Sequence, residues 1–198
     1  ALRKLKKSSM RLGINSVNFG DCDGLVSAGN TGALMAISKF VLKTIRGVDR
    51  PAIAALLPTM KGQSVVLDLG ANVECTDDNL VQFALMGDMF SKSVLGIRKP
   101  KLGLLNVGSE HIKGNPTVKK TFDKLKKMKS LLNFHGFIEG DDINKGVVDV
   151  VVTDGFSGNI ALKTAEGVAE LIFTFLKNAY KSSIISKLGY ILSKPAIN

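Results

Sequence analysis

The feature of this sequence that most constrains its fold is an alternation between short apolar runs and longer helical patterns. The short runs are rich in β-branched residues, the longer patterns repeat apolar residues at helical spacing, and Gly or Asn stands at the joints. This alternation is typical of parallel strands joined by crossover helices. It predicts an α/β fold, a three-layer α/β/α sandwich around a mostly parallel sheet.

The pattern predicts both strands and helices along the whole chain. The strands are expected at Gly24–Ser27, Ala52–Leu57, Val65–Leu69, Lys101–Val107, Phe134–Ile138 and Val147–Thr153. The helices are expected at Thr31–Ile45, Asp78–Leu95, Pro116–Leu132 and Gly158–Lys177. Since no repeat or linker marks a boundary, we interpret residues 1–198 as one α/β domain, part of a longer catalytic domain, with a basic amphipathic helical segment at 178–198.

Composition excludes several classes of protein. With 45% hydrophobic and 22% charged residues, the chain is not intrinsically disordered. The apolar stretch Ala52–Leu57 is far shorter than the ~20 residues that span a bilayer, so no transmembrane helix is expected. Two cysteines without CxxC spacing and two histidines offer little for a metal, so we expect none. Unpaired cysteines and the lack of a signal-peptide pattern favour the cytoplasm.

The charge of the chain points to an acidic partner. Lysine and arginine number 27 against 17 acidic residues, a formal net charge of +10. Only five of these are arginines, and tryptophan is absent, which disfavours both base-edge readout and base stacking. We therefore expect no nucleic acid partner, and an acidic protein or an anionic lipid instead. The lysine run from Lys119 to Lys127 is most simply a solvated helix face, with a docking site as the alternative.

A first candidate site is the Gly-rich segment Ser27–Ala33, placed between a predicted strand and a predicted helix. Gly29 and Gly32 permit close backbone approach, and Asn30 or Thr31 can cap the helix. Free N–H groups and the positive end of the helix dipole favour an anion there, and phosphate is the expected guest. The alternative is an ordinary strand-to-helix turn with a good cap. The segment matches neither the Walker pattern nor GxGxxG, so the usual marks of nucleotide binding are missing.

Three further loops follow predicted strands. Asp68 and Asn72 follow the strand Val65–Leu69, at the strand end where polar groups of a parallel sheet meet a ligand, although a structural turn is the alternative. The segment Asn106–Asn115 contains Glu110, His111 and Lys113, more polar chemistry than a connection requires. His111 taken alone is more often an exposed loop residue than a catalyst.

The last loop opens the final long helix. Asp154, Gly155, Gly158 and Asn159 combine a carboxylate, two glycines and an amide at a helix start, which suits an anion or an oxyanion. Ser157 lacks the GxSxG context and an assignable histidine, so it is not expected to be a nucleophile.

Several phrases, taken together and in order, resemble one known family. They are SAGNTGALM, RPAIAALLPT, LDLGAN, FALMGDMF, LGLLNVGSEHIKGN, FIEGDDI and VVVTDGFSGNIALKTAEG. The family is the phosphate acyltransferase of bacterial phospholipid synthesis, which makes acyl-phosphate from acyl-ACP and inorganic phosphate. Its members are longer, so the chain resembles the central portion.

The resemblance implies an isocitrate or isopropylmalate dehydrogenase-like fold, a homodimer and no cofactor. Its implied partners are acyl carrier protein, inorganic phosphate and an anionic membrane surface at the inner face of the membrane. Lys113 and Asn159 match positions implicated in catalysis, while Ser109 and Glu110 stand where the family usually has two acidic residues. The alternatives are a non-catalytic fragment, a phosphotransacetylase-like enzyme and a nonspecific nucleic-acid-binding module.

Overall fold

A computed structural model describes residues 7–197. Its strands are β1 Ala54–Thr59, β2 Gly62–Leu67, β3 Lys101–Leu105, β4 Asn133–Ile138 and β5 Val150–Val152. Its helices are α1 Ser9–Phe19, α2 Thr31–Leu42, α3 Asp77–Val94, α4 Pro116–Lys127, α5 Gly140–Lys145, α6 Gly155–Lys181 and α7 Ile184–Ile197. The chain divides into two compact units, Ala1–Asn159 and Ile160–Asn198. The prediction that residues 1–198 form a single domain stays a prediction.

The first unit is built on a five-stranded sheet with the order β1-β2-β5-β3-β4. β1 and β2 form an antiparallel hairpin, and every other neighbouring pair is parallel. The central strand β5 consists of Val150, Val151 and Val152, all fully buried, as expected for a strand that is covered on both faces. Because β2, β5, β3 and β4 run in the same direction, the loops that follow them share one edge of the sheet.

Helix α3 supplies much of the apolar core beneath that edge. Leu80 and Phe83 of α3 are buried in one cluster with Leu67 of β2 and Val150 of β5. Thr76 starts the helix with a capping box, in which its hydroxyl accepts from the Asn79 amide at 3.2 Å. Helix α4 packs beside α3 and against β4, so its position relative to the sheet edge is fixed by the same core.

The predicted α/β class with a mostly parallel sheet is confirmed, and five of the six predicted strands are present with shifted ends. The strand predicted at Gly24–Ser27 is wrong, because this segment is extended chain outside the sheet and Val26 is 100% exposed. Leu25 packs beside Gly13 of α1 instead. The final helix begins earlier than predicted, at Gly155, because Asp154 caps it. Helices α1 and α5 were not among the predicted elements.

The second unit consists of the continuation of α6 and of α7. Tyr180 and Tyr190 hold the two helices together, with ring centroids 5.3 Å apart, and the Tyr180 hydroxyl lies 3.1 Å from Ser193 Oγ. The segment predicted to be helical, 178–198, consists of the end of α6 and of α7 as far as Ile197, with a turn at 182–183 between them. None of the helices within residues 7–197 combines the length and apolarity that crossing a bilayer requires.

Candidate active site

A cleft lies at the shared edge of the sheet, between the loop after β3 and the start of α6. It consists of two adjoining parts of about 400 Å3 and 490 Å3. Both parts are lined by Asn115 and Val118 from the α4 end and by Asp154 and Ser157 from the α6 end. The other lining residues are Val73, Glu74, Cys75, Leu80, Leu105, Asn106, Val107, Gly114, Thr117, Gly140 and Phe156.

One wall of the cleft depends on Asp68, which is fully buried directly after β2. Asp68 Oδ1 accepts hydrogen bonds from the amides of Ile53 at 3.0 Å and Ala71 at 3.1 Å. Asp68 Oδ2 accepts from the Asn72 amide at 2.7 Å and from Asn72 Nδ2 at 2.9 Å. Both oxygens are thus engaged within the chain, which gives Asp68 the role of shaping this loop. A direct contact of Asp68 or Asn72 with substrate stays a prediction.

The loop that Asp68 shapes also forms the surface against which the first turn of α6 packs. The Asn72 carbonyl accepts from the Gly155 amide at 2.8 Å, and a β-carbon added at Gly155 would lie 2.7 Å from that same oxygen. A β-carbon at Gly158 would overlap the backbone oxygen of Asp68 and lie 2.8 Å from Thr153 Cγ2. Both glycines are therefore required for close helix-to-loop packing, a structural use that does not depend on a bound anion.

The first turn of α6 is capped by Asp154. Its Oδ1 accepts from the Ser157 amide at 2.8 Å, and its Oδ2 accepts from the Ser157 hydroxyl at 3.1 Å. A carboxylate at this position satisfies a free helix amide and offsets the positive end of the dipole. The Gly155 amide is already bound by Asn72. Part of the predicted anion cradle is therefore occupied by the chain itself.

The loop after β3 folds back on itself around Asn106. Asn106 Nδ2 donates to the carbonyls of Gly108 at 3.0 Å and Lys113 at 3.3 Å. Lys113 Nζ forms an ion pair with Glu110 Oε1 at 2.9 Å, and both side chains are about half exposed. Hydrogen bonding within this pair lowers the pKa of Glu110 and raises the pKa of Lys113. Lys113 is therefore cationic at neutral pH. Because the ion pair is exposed to solvent, Lys113 can exchange Glu110 for another anion.

Asn159 stands in the first turns of α6, on the side of the loop after β2. Its side-chain atoms lie 3.5 Å from the position that a β-carbon on Gly70 would occupy, and Asn159 is exposed. The structure thus groups Asn159 with Asp68, Asn72, Gly155 and Gly158. Lys113 and Glu110 belong to the neighbouring loop after β3.

The Ser27–Ala33 segment is placed differently from the other three loops. Its residues do not line the cleft. Of the other predicted site residues Asp154 lines the cleft, whereas the rest lie in the flanking loops and the first turns of α6: Asp68, Asn72, Glu110, Lys113, Gly155, Gly158 and Asn159. The placement at a sheet-strand end is wrong, because residues 7–26 contain no strand before the segment. The structure confirms Asn30 as the helix cap, with Oδ1 accepting from the Ala33 amide at 2.9 Å. The Gly29 amide donates to Ser27 Oγ at 3.2 Å. Phosphate binding by this loop, including Thr31 and Gly32, stays a prediction.

The described side chains of the cleft offer no activated nucleophile. Burial raises the pKa of the Cys75 thiol to about 11, so this thiol is protonated at neutral pH. The Ser157 hydroxyl donates to Asp154 Oδ2, and no histidine within residues 7–197 is hydrogen-bonded to either side chain. His111 instead contacts the outer side of α4, with Nε2 3.3 Å from Asp123 Oδ1 and its ring 5.0 Å from that of Phe122. Within residues 7–197 no cluster of three His, Cys, Asp or Glu side chains is placed to hold a metal ion.

Sequence reasoning missed two features of the cleft. Glu74 and Asp154 make its lining acidic, so an anionic substrate requires cations at the rim. Besides Lys113, Arg50 lies at the Glu74 wall, where its Nη1 donates to the Glu74 carbonyl at 3.2 Å. In the sequence, Arg50 is marked only by its position at the start of the phrase RPAIAALLPT. Nothing in the sequence indicates that Arg50 contacts Glu74.

The whole chain matches a family model described as "Fatty acid synthesis protein", over residues 1–198. This chain belongs to that family. It is 60% identical to the phosphate acyltransferase of Rhodospirillum centenum over 196 residues, which cover 99% of this chain and 55% of that protein. It is 56% identical to the phosphate acyltransferase of Paramagnetospirillum magneticum, over 100% of this chain and 56% of that protein. The predicted resemblance is confirmed, and the chain spans about half the length of these relatives.

A solved structure supports the assignment of the fold. The EutD phosphotransacetylase from Staphylococcus aureus superimposes with a TM-score of 0.61 and 22% sequence identity. The match covers 80% of this chain and 55% of that chain. At this identity the likeness shows a common fold and nothing about the reaction.

The packing of α6 on the loop after β2 gives a direct test. Gly158→Ala places a β-carbon against the Asp68 backbone, so we expect a loss of about 1–3 kcal/mol in the free energy of unfolding. The matched control is Gly167→Ala on the same helix, where a β-carbon meets nothing within 4 Å. Replacing that exposed helical glycine should stabilise the protein by about 0.5–1 kcal/mol. Urea unfolding of both variants measures the difference, and equal effects would contradict the packing role.

Proposed function

We propose that the protein of which this chain forms about half transfers a fatty acyl group from acyl carrier protein to inorganic phosphate, giving acyl-phosphate for phospholipid synthesis. The observation that carries this proposal is the character of the cleft, which has charged and amide groups at its rim but no activated nucleophile. Such a site suits a reaction in which the second substrate is itself the nucleophile. Membership of the fatty acid synthesis protein family and the similarity to phosphate acyltransferases support the same reaction.

The proposed reaction needs little proton transfer. A phosphate oxygen attacks the thioester carbonyl carbon, and the carbonyl electrons move onto oxygen to give a tetrahedral oxyanion. When the carbonyl re-forms, the carbon–sulfur bond breaks and the electron pair leaves on the carrier's thiolate. Phosphate is anionic at neutral pH and a thiolate leaves readily, so neither a strong base nor a strong acid is required. The protein's tasks are to position the two substrates and to stabilise the added negative charge.

We assign these tasks to Lys113 and Asn159. The Lys113 ammonium can leave Glu110 and bind phosphate or the oxyanion, because the ion pair is exposed. The Asn159 amide, which is exposed beside Gly70, can donate a hydrogen bond to the same substrate. Arg50 provides a second cation at the acidic wall formed by Glu74 and Asp154. We propose in addition that Glu110 contacts a substrate, as do the loops that contain Asp68, Asp154 and Ser27.

The first test removes each assigned group. Lys113→Ala and Asn159→Ala should each lower acyl-phosphate formation by about 100-fold, the usual cost of one oxyanion-stabilising group. The double variant should lose less than the product of the two single losses, because groups that stabilise one transition state act as a unit. The assay follows phosphate-dependent release of free thiol from acyl-ACP, in this chain and in the chain extended to the length of its relatives.

The control is Lys145→Ala, which removes a surface lysine that is also ion-paired with a nearby carboxylate, Asp141. This variant should retain the parent rate. If a folded Lys113→Ala protein keeps the parent rate, the catalytic role assigned to Lys113 is wrong, and only the amide groups of the site remain as candidates. A parent protein of full length that releases thiol no faster with phosphate than without it would refute the proposed reaction.

We also propose that the protein is a cytoplasmic homodimer that binds an anionic membrane at its inner face through the second unit. The helices α6 and α7 expose large apolar side chains, including Phe173 and Phe175 on α6, and on α7 Ile184, Ile185 and Leu188 recur at helical spacing. Lysines accompany them, as in helices that lie in the interface of an anionic bilayer. The alternative for these apolar side chains is the interface of the dimer itself.

Charge placed on the apolar side of α7 separates the two possibilities. Leu188→Glu with Ile191→Glu, at positions 56% and 65% exposed, should reduce co-sedimentation with phosphatidylglycerol-containing vesicles by about 10-fold or more. Met60→Glu with Leu131→Glu, exposed apolar positions of the first unit, should leave it unchanged. Unaltered vesicle binding by the α7 variant would contradict the membrane role. A change from dimer to monomer in sedimentation analysis would assign the surface to the dimer.

A further inference from the structure

Helix α4 presents a row of lysines that the proposed chemistry does not use. We define the α4 lysine face as Lys119, Lys120, Lys126 and Lys127. Positions seven residues apart on a helix share one side, so Lys119 lies above Lys126 and Lys120 lies above Lys127. Asp123 is the only carboxylate within α4.

The positive charge of this face is only partly offset by carboxylates within residues 7–197. The other lysine of the helix, Lys124, reaches α3 and pairs with Asp77 at 2.6 Å and with Asp78. Asp123 lies within the face, three or four residues from each of its lysines, and its Oδ1 is 3.3 Å from His111 Nε2. None of the four lysines of the face forms a salt bridge within residues 7–197, although Lys120 lies close enough to Asp77 to help lower the pKa of that carboxyl. Four lysines around one carboxylate leave this face with a net positive charge, which would attract carboxylates on a partner.

The apolar side of α4 is already used by the core, which bears on the kind of partner. Val118, Thr121 and Leu125 are buried, so Lys120, Lys126 and Lys127 are exposed and Lys119, at the margin of the face, is half-buried. The exposed large apolar side chains of the described chain include none from α4. A helix that lies in a membrane interface needs an apolar side to insert, and α4 has none to spare. The lysine face therefore fits a charged protein surface better than a bilayer.

The face also begins at the cleft. Asn115, Thr117 and Val118, which cap and open α4, line the cleft, and Lys119 and Lys120 follow directly. A helix of this length extends about 18 Å, so a partner bound along the face would stand beside the cleft mouth. A group tethered to that partner could then enter the cleft without releasing it.

We propose that the α4 lysine face is the docking surface for an acidic face of the acyl carrier. This inference rests on the proposed function for the identity of the partner. The face steers the carrier by charge and leaves the acyl thioester at the cleft between Asn115 and Asp154. Binding by such a surface is salt-sensitive and is separate from phosphate binding.

The test reverses two charges of the face in Lys120→Glu with Lys127→Glu. The matched control, Lys61→Glu with Lys99→Glu, reverses two exposed lysines elsewhere in the first unit and changes the net charge equally. Fluorescently labelled acyl carrier protein bearing a fatty acyl group is titrated into the parent chain and both variants at low and high salt. We expect affinity to fall by about 10-fold or more for the α4 variant and by less than about 2-fold for the control.

Turnover separates this proposal from the proposed function. In the active extended chain, the α4 variant should raise KM for the acyl carrier but leave KM for phosphate, and the rate with a carrier-free acyl thioester, unchanged. A parent protein that turns over while both double variants behave alike overturns the docking surface alone. No carrier binding by the parent chain, or loss of vesicle binding in place of carrier binding, overturns it as well. An inert parent that binds the carrier through this face contradicts the proposed reaction only.

Discussion

The interaction on which the rest of the site depends is the set of hydrogen bonds accepted by the Asp68 carboxylate. Four donors converge on it, three from the backbone and one from the Asn72 side chain. They join the chain before β1 to the loop after β2. The same loop then receives the start of α6 through the Asn72 carbonyl and the Gly155 amide. A buried carboxylate left without these partners would be costly, which makes the arrangement close to obligatory once Asp68 is inside.

This arrangement determines how charge is distributed at the cleft. Asp154 caps α6 and remains in the lining together with Glu74, so the cleft interior is acidic. The cations stand at its margins, with Lys113 held by Glu110 and Arg50 held by a backbone carbonyl. An anionic substrate must therefore be held from the rim, where the cations can change partners. Further along α4 the lysine face extends positive charge away from the cleft, toward the solvent from which a partner would arrive.

The sequence predicted most of the sheet because buried strands and amphipathic helices leave a strong pattern. It predicted that Asp68, Asn72 and Asp154 follow strands that point to one edge, and they do. It did not predict what these groups bind. The donors to Asp68 come from Ile53, 15 residues earlier, and from the turn itself, and neither is visible in residue type. The strand prediction at Gly24–Ser27 is wrong because Leu25 and Val26 are typical strand residues by type, whereas in the part of the chain that the structure describes no strand pairs with them.

Gly155 and Gly158 show the same limit of prediction from sequence, because a residue type does not reveal what it contacts. Gly155 and Gly158 resemble an anion-binding loop in sequence, and their spacing at a helix start is right for one. In the structure both are needed where α6 touches the backbone of Asn72 and Asp68. A pattern of glycines indicates close approach of the backbone to something, and only the fold shows whether that partner is a ligand or the protein.

The most direct test of this account is amide hydrogen exchange at the four protons that the Asp68 loop organises. These are the amides of Ile53, Ala71, Asn72 and Gly155, which would be exposed to water in an ordinary surface loop. We expect protection comparable to that of the β2 and β5 amides, because opening any of these four hydrogen bonds breaks the network around a buried carboxylate. Exchange as fast as that of the Ser27–Ala33 loop would contradict it, since the wall of the cleft would then not be preformed.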